Sequence, residues 1–197
     1  MDLIDKYGVD PVRYYLMREM VLGQDANFAI KSFINRYNSD LANDFGNLLS
    51  RVSTLINKNY DGEIPELSSL SSNDKKIEES SKEVVKNFDN YMSNMAINDA
   101  IEEVLQFVRS INKYFEHSAP WKVVKEDKEL AGTILYTGAE ALRISAVLLS
   151  SIMPERTKKL FQVLNTDSRD RKWGGLKSSI KLGTLSALFP RIDSQHK

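Results

Sequence analysis

R-Y-N-S-D-L-A-N-D-F-G-N-L-L-S-R, residues 36–51, carries two patterns at once. Leu41, Phe45, Leu48 and Val52 recur at the three- and four-residue spacing that lines one face of a helix. Ile34 before them and Leu55 and Ile56 after them extend the same stripe. The spacing predicts one long helix over residues 30–59, bent at Asn38-Ser39-Asp40 and stopped by Tyr60-Asp61-Gly62. Asn43, Asn47 and Arg51 stand at i, i+4 and i+8 on the other side. At about 100° per residue they fall within an arc of ~80°, roughly opposite the apolar stripe. Asparagine is a weak helix former, so stability gives no reason for two of them in mid-helix. Amides offer paired donors and acceptors, and arginine adds a planar fork that bonds or stacks. Such groups suit the reading of base edges. An ordinary solvated helix face is the plain alternative.

The rest of the chain repeats the helical pattern. Asp10-Pro11 reads as a cap followed by proline at the first helical position, with Val12, Tyr15, Leu16 and Met20 at helical spacing after it. Residues 21–27 read as a loop around Gly23 and Asp25. A charged helix is expected over 74–92, and a stronger one over 97–115 through Ile101, Val104, Leu105, Val108 and Ile111. A further helix is expected over 130–152, where Gly132 and Gly138 lower propensity but permit a close helix contact. Pro154 opens a short helix to Leu164. The segment around Trp173-Gly174-Gly175 reads as irregular. No strand and no internal repeat is expected. The fold class is therefore all-α, a bundle of about five to seven helices.

Composition narrows the function. With 42% hydrophobic and 27% charged residues in 197, the chain can sustain a core of its own. It has no cysteine, which excludes disulfides and thiolate metal sites. His117 and His196 have no metal-ligand spacing, so no metal residues are assigned. No glycine-rich phosphate loop occurs. Adjacent acids such as Glu102-Glu103 point about 100° apart on a helix and cannot share a substrate atom. His117 beside Glu116 has no nucleophile nearby in sequence and reads as a helix-end residue. No catalytic residues are assigned. No run is long enough to span a membrane, and there is no leader pattern, which fits a cytosolic protein or a piece of one. The net charge is zero, yet residues 155–191 carry nine Lys/Arg against three acids. Arg156, Lys158 and Lys159 in that stretch are candidates to support phosphates.

The second informative stretch is S-A-P-W-K, residues 118–122. Trp121 follows Pro120 where a helical pattern breaks off. It is either a core plug or a flat surface on which something stacks.

Taken together the motifs resemble a known family. Y-G-V-D-P-V-R-Y-Y-L-M-R-E (7–19) with G-Q-D-A-N-F (23–28) resembles the segment after the catalytic loop of methionyl-tRNA synthetases, class I enzymes. Residues 36–51 are similar to that family's anticodon-helix signature. N-K-Y-F-E-H-S-A-P-W (112–121) is similar to its second signature, and L-F-P-R-I (188–192) to the end of its helical domain. The resemblance covers nearly the whole chain, in order. It implies a stem-contact or linker region over 1–28, following a catalytic domain that this chain lacks, and an anticodon-binding bundle over 29–197. It implies that Asn47, Arg51 and Trp121 contact the anticodon of methionine tRNA. Asn43 matches another polar position on that face, and Pro120 matches the proline that sets the tryptophan. A full enzyme of this kind uses ATP and Mg. The partners implied are tRNA, through its anticodon loop, and the catalytic domain of the same chain; no membrane is implied. Trp121 is then expected to expose one face, with its edge packed. One departure is Ala29, where many relatives carry a serine cap; Asn27 would cap instead. No role is carried onto 62–76. Two other readings compete: a helical protein-interaction module, and the matching domain of a sibling class I synthetase.

Overall fold

The computed structural model of the chain describes residues 2–21, 28–184 and 187–193. The expected loop at Gly23 and Asp25, the alternative cap Asn27 and His196 lie outside them. Two helices come first, α1 (Asp2–Tyr7) and α2 (Val9–Glu19). The long helix of the sequence reading follows as one continuous rod. It begins as α3 (Ile30–Arg36), widens into a π-helical segment (Tyr37–Gly46) and returns to α-helix as α4 (Asn47–Asn59). Then come α5 (Ser72–Ser93), α6 (Ile97–Ser118), the single turn α7 (Pro120–Val123), α8 (Lys128–Leu149) and α9 (Pro154–Val163). The all-α expectation holds. Among the described residues only an isolated bridge, Glu63 to Lys181, departs from helix and loop.

Helix α8 is the axis of the bundle. Every residue from 131 to 149 is buried, as a helix surrounded by others must be. α4, α5, α6 and α9 pack around it. The close helix contact expected at Gly132 and Gly138 is found at Gly138; at Gly132 the close neighbours are Pro65 and Tyr60, outside the helices. A Cβ on Gly138 would fall 2.6 Å from Cζ of Phe115, so α6 approaches α8 as closely as it does only because that Cβ is missing.

One charged pair lies inside the axis. Glu140 and Arg143 are wholly buried and paired at 2.7 Å. Backbone N–H groups of Gly174, Gly175 and Leu176 donate to the Glu140 carboxylate at 2.8–3.0 Å. Arg143 donates to the carbonyls of Asp170 and Lys172. The irregular segment around Trp173 is thus clamped to α8 by a fully bonded ion pair, the condition under which a buried charge is tolerated.

Asp10 corrects the sequence reading. Helix α2 starts two residues earlier than expected, with Gly8 as its N-cap in a positive-φ conformation (φ 87°) and no side-chain cap. Asp10 is buried, and its carboxylate accepts the backbone N–H of Arg156 at 2.7 Å. It caps α9, a helix some 146 residues away in sequence. Arg13 donates to the carbonyls of Ile152 and Ser151 in the turn before α9. Ala29 precedes α3 in an extended conformation and makes no side-chain cap.

Candidate RNA-binding face

The bend expected at Asn38-Ser39-Asp40 is the start of the π-helical segment. At its end the Asn47 N–H bonds to the Ala42 carbonyl, five residues back. This wider turn brings residues four apart short of a full turn, where an α-helix carries them past it. Asn43 is therefore swung toward the side of Arg51, and the three polar residues span a narrower arc than an α-helix would give. Several partners hold the widened segment. Tyr14 Oη donates to Asp40 at 2.8 Å, and burial followed by that carboxylate pushes the phenol well above its ordinary pKa. Arg109 bonds Asp40 and Asp44 at 3.1 and 2.7 Å. Asn112 Nδ2 donates to the Asp44 carbonyl at 3.0 Å. Leu41, Phe45, Leu48 and Val52 are buried beneath, as the apolar stripe required.

Asn43 and Asn47 are exposed, and Arg51 is half-buried. Among the described residues neither amide has a side-chain hydrogen bond, and Arg51 has no ion pair. Arg51 does have an aromatic neighbour. Its guanidinium carbon lies 5.2 Å from the ring centroid of Trp121 and 5.8 Å from that of Phe115. Both distances fall within cation–π range. The structure thus brings Arg51 and Trp121 together across about 70 residues of sequence, and Asn47 sits one α-helical turn from Arg51. Trp121 is 37% exposed, neither plug nor free flag.

The positioning of Trp121 follows from its two predecessors. Helix α6 ends on Ala119 in the left-handed conformation (φ 41°, ψ 56°), and its N–H closes onto the Phe115 carbonyl. Pro120 is buried at the first position of α7, where its missing N–H costs nothing and its fixed φ suits a helix start. A left-handed alanine is unfavourable by about 1–2 kcal/mol, so neighbouring structure must hold this corner. Tyr114 contributes to that hold. Its hydroxyl donates to Asp74, which also completes the capping box with Ser71 at the start of α5. Burial, then Asp74, raises the Tyr114 pKa far above its usual value. Asp74 was missed in the sequence reading, although the S-x-x-D spacing from Ser71 signals a cap.

Three further placements matter. His117 is exposed at the end of α6, its Nδ1 against the Lys113 carbonyl, as a helix-end residue. Arg156 is not available to a phosphate as the sequence suggested: it donates to the Leu188 carbonyl at 2.6 Å and lies over Phe189. Lys158 and Lys159 are exposed. The segment over 188–192 lies against the π-helical segment and walls a groove of about 710 Å³ with Asn43, Gly46, Asn47 and Ser50. Nothing in its hydropathy pattern announced this, because an irregular segment has no helical period to read.

The sequence model of the family described as the anticodon binding domain of methionyl tRNA ligase matches residues 64–188. That of class I tRNA synthetases (M) matches residues 1–53. The methionine–tRNA ligase of Caldanaerobacter subterraneus subsp. tengcongensis is 39% identical, over 98% of this chain and 31% of that protein. That of Bacillus subtilis is 37% identical, over 99% of this chain and 31% of its own length. The crystal structure of the free state of Mycobacterium tuberculosis methionyl-tRNA synthetase superposes with a TM-score of 0.91 at 29% identity, over 98% of this chain and 40% of that one. Its complex with methionyl-adenylate gives 0.91 at 30%, over 96% and 39%. The chain thus spans under a third of the length of these curated relatives.

Proposed function

The chain belongs to the family of anticodon-binding domains of methionyl-tRNA ligases, and from that premise we propose that it reads the anticodon loop of methionine tRNA on behalf of a methionine–tRNA ligase. The observation that carries this is the Arg51–Trp121 pair, with Asn47 one turn away. Sequence-specific RNA recognition favours unpaired loop bases, which can be splayed out, stacked and read on their edges. An exposed indole set by Pro120 supplies the stacking surface. Arg51 and Asn47 have no side-chain bonds to surrender among the described residues and supply fork and amide for the base edges; Asn43 continues the row. Each stacked base is worth ~1–3 kcal/mol. A wrong base that leaves a polar edge unmatched costs a comparable ~1–3 kcal/mol, and this is how other anticodons are refused.

Residues 1–28 serve as the stem-contact or linker region after the catalytic domain, and 29–197 as the anticodon-binding bundle. The described residues hold no cluster of three His, Asp or Glu that converges on a metal. The ATP and Mg that a class I ligase of this family uses belong, on this proposal, to its catalytic domain. On this proposal the whole ligase acts in the cytoplasm. Binding here places the acceptor end of the tRNA near the activated methionine.

The test is binding of anticodon stem-loop RNAs, cognate and singly altered, by the wild-type chain and by Trp121→Ala. The expected result is a ~5–140-fold loss with Trp121→Ala, following from ~1–3 kcal/mol at tenfold per 1.4 kcal/mol. Discrimination between anticodons should shrink with it. Affinity within about twofold of wild type would remove the stacking role, and equal affinity for all anticodons would remove the reading itself.

A further inference from the structure

The groove beside Asn43 and Asn47 has a second wall. One side is Asn43, Gly46, Asn47 and Ser50; the other is residues 187–191, with Pro190 and Arg191 at the rim. This second wall is anchored at three points. The Asn38 amide donates to the Ile192 carbonyl at 2.8 Å and accepts the Ile192 N–H at 2.9 Å, both buried. Phe189 is 5% exposed and meets Tyr37 and Phe45 edge-on, at 6.1 and 6.3 Å between centroids. Arg156 holds the Leu188 carbonyl. Gly46 opens the floor: a Cβ there would stand 3.7 Å from Phe189 Cβ, filling the angle between the walls.

The groove, about 710 Å³, lies within the range that ordinarily receives a small molecule or a nucleotide-sized group. Its chemistry is asymmetric. Two amides on the helix wall present donor and acceptor pairs. Arg191 on the opposite rim is exposed, with neither ion pair nor side-chain hydrogen bond among the described residues. A neutral planar group against the amides and an anion against the arginine would satisfy both walls. The groove also continues the row of Asn47, Arg51 and Trp121. On the anticodon reading, on which this inference rests, we propose that residues 187–191 form the second wall of the RNA site. An unpaired loop nucleotide enters the groove with its base edge on Asn43 and Asn47 and its backbone phosphate on Arg191.

The experiment compares the wild-type chain with Arg191→Ala, Arg191→Lys and Trp121→Ala. The probe is an anticodon stem-loop RNA, titrated between about 50 and 200 mM salt, with melting temperatures recorded for each variant. Arg191→Ala should weaken binding about five- to tenfold for every anticodon and flatten the slope of log affinity against log salt by about 0.7, the value for one phosphate on a single strand. Arg191→Lys should restore the slope, because a lysine still neutralises a phosphate. Should Arg191→Ala stay within about twofold with an unchanged slope while Trp121→Ala weakens binding, the second wall is wrong and the anticodon reading stands. Should neither variant change binding, both are wrong. A loss with Arg191→Ala that comes with a lowered melting temperature and an unchanged slope is structural, and also overturns the proposal.

Discussion

Replacing Gly138 by alanine separates close packing from ordinary helix propensity, because the two have opposite signs. An exposed mid-helix glycine gains ~1 kcal/mol on becoming alanine. Gly138 is buried, and the added Cβ would meet the Phe115 ring at 2.6 Å from Cζ and Val52 Cγ2 at 3.2 Å. Phe115 is itself fully buried and has no open space to turn into. Overpacking a filled core costs ~1–3 kcal/mol, and contact with a rigid ring belongs at the upper end. The net result is a loss of about 1–2 kcal/mol after the propensity gain. For a chain of this length each kcal/mol moves the melting temperature by ~2–4 °C, so Gly138→Ala should melt lower by roughly 2–8 °C in a circular-dichroism scan. A second effect follows from what else neighbours the ring. Arg51 rests 5.8 Å from the Phe115 centroid and 5.2 Å from that of Trp121, so a displaced Phe115 carries Arg51 out of line. Stem-loop affinity, measured well below the melt, should fall by about threefold or more. A variant that melts higher, as a plain helical glycine would, refutes the close-packing argument.

Two further outcomes are expected. Arg143→Met leaves the buried Glu140 carboxylate without its cation and should cost ~3–5 kcal/mol in urea unfolding. Adding Glu140→Gln should recover part of that loss, and strict additivity of the two would show that the pair is not coupled. Stability should be flat through neutral pH and fall as pH rises from about 10 to 12. Burial raises the Tyr60 and Tyr136 hydroxyls to about 12 in the fold, against 10.0 for a free side chain, so the unfolded chain ionises first and is favoured in that window. Melting temperatures across alkaline buffers check this, and a decline beginning near pH 8 would require a different group.

Legibility in the sequence tracked how local each determinant was. The rod over 30–59 was readable because its apolar stripe is local, and even its bend at Asn38 showed as a cluster of poor helix formers. The π-helical widening was not readable, because it depends on Tyr14, Arg109 and Asn112 reaching in from other helices. Asp10 carried the residue type of a cap, but proximity in the chain pointed to the wrong helix. Asn47 and Arg51 were visible as one face; their meeting with Trp121 came only from the family resemblance, since no spacing rule connects residues 51 and 121. The buried Glu140–Arg143 pair has the i,i+3 spacing of an ordinary surface pair, so nothing local marks it as buried. Only the irregular segment that folds over it hides it from water.

The reach of Asp10 and Arg13 has a consequence for the order in which this chain can fold during synthesis. Their partners at Arg156, Ile152 and Ser151 are made some 138–146 residues later. At ~5–20 residues per second on a ribosome, α2 waits roughly 7–30 s before its docking site exists. Through that interval Tyr14 and Tyr15, destined for the core, have α1 and the rod over 30–59 as shelter, joined by α6 once residues 97–118 have been made. A codon change that slowed translation between residues 118 and 150 would lengthen the exposure without altering a single atom of the finished fold, and its mark would be lower soluble yield at an unchanged melting temperature.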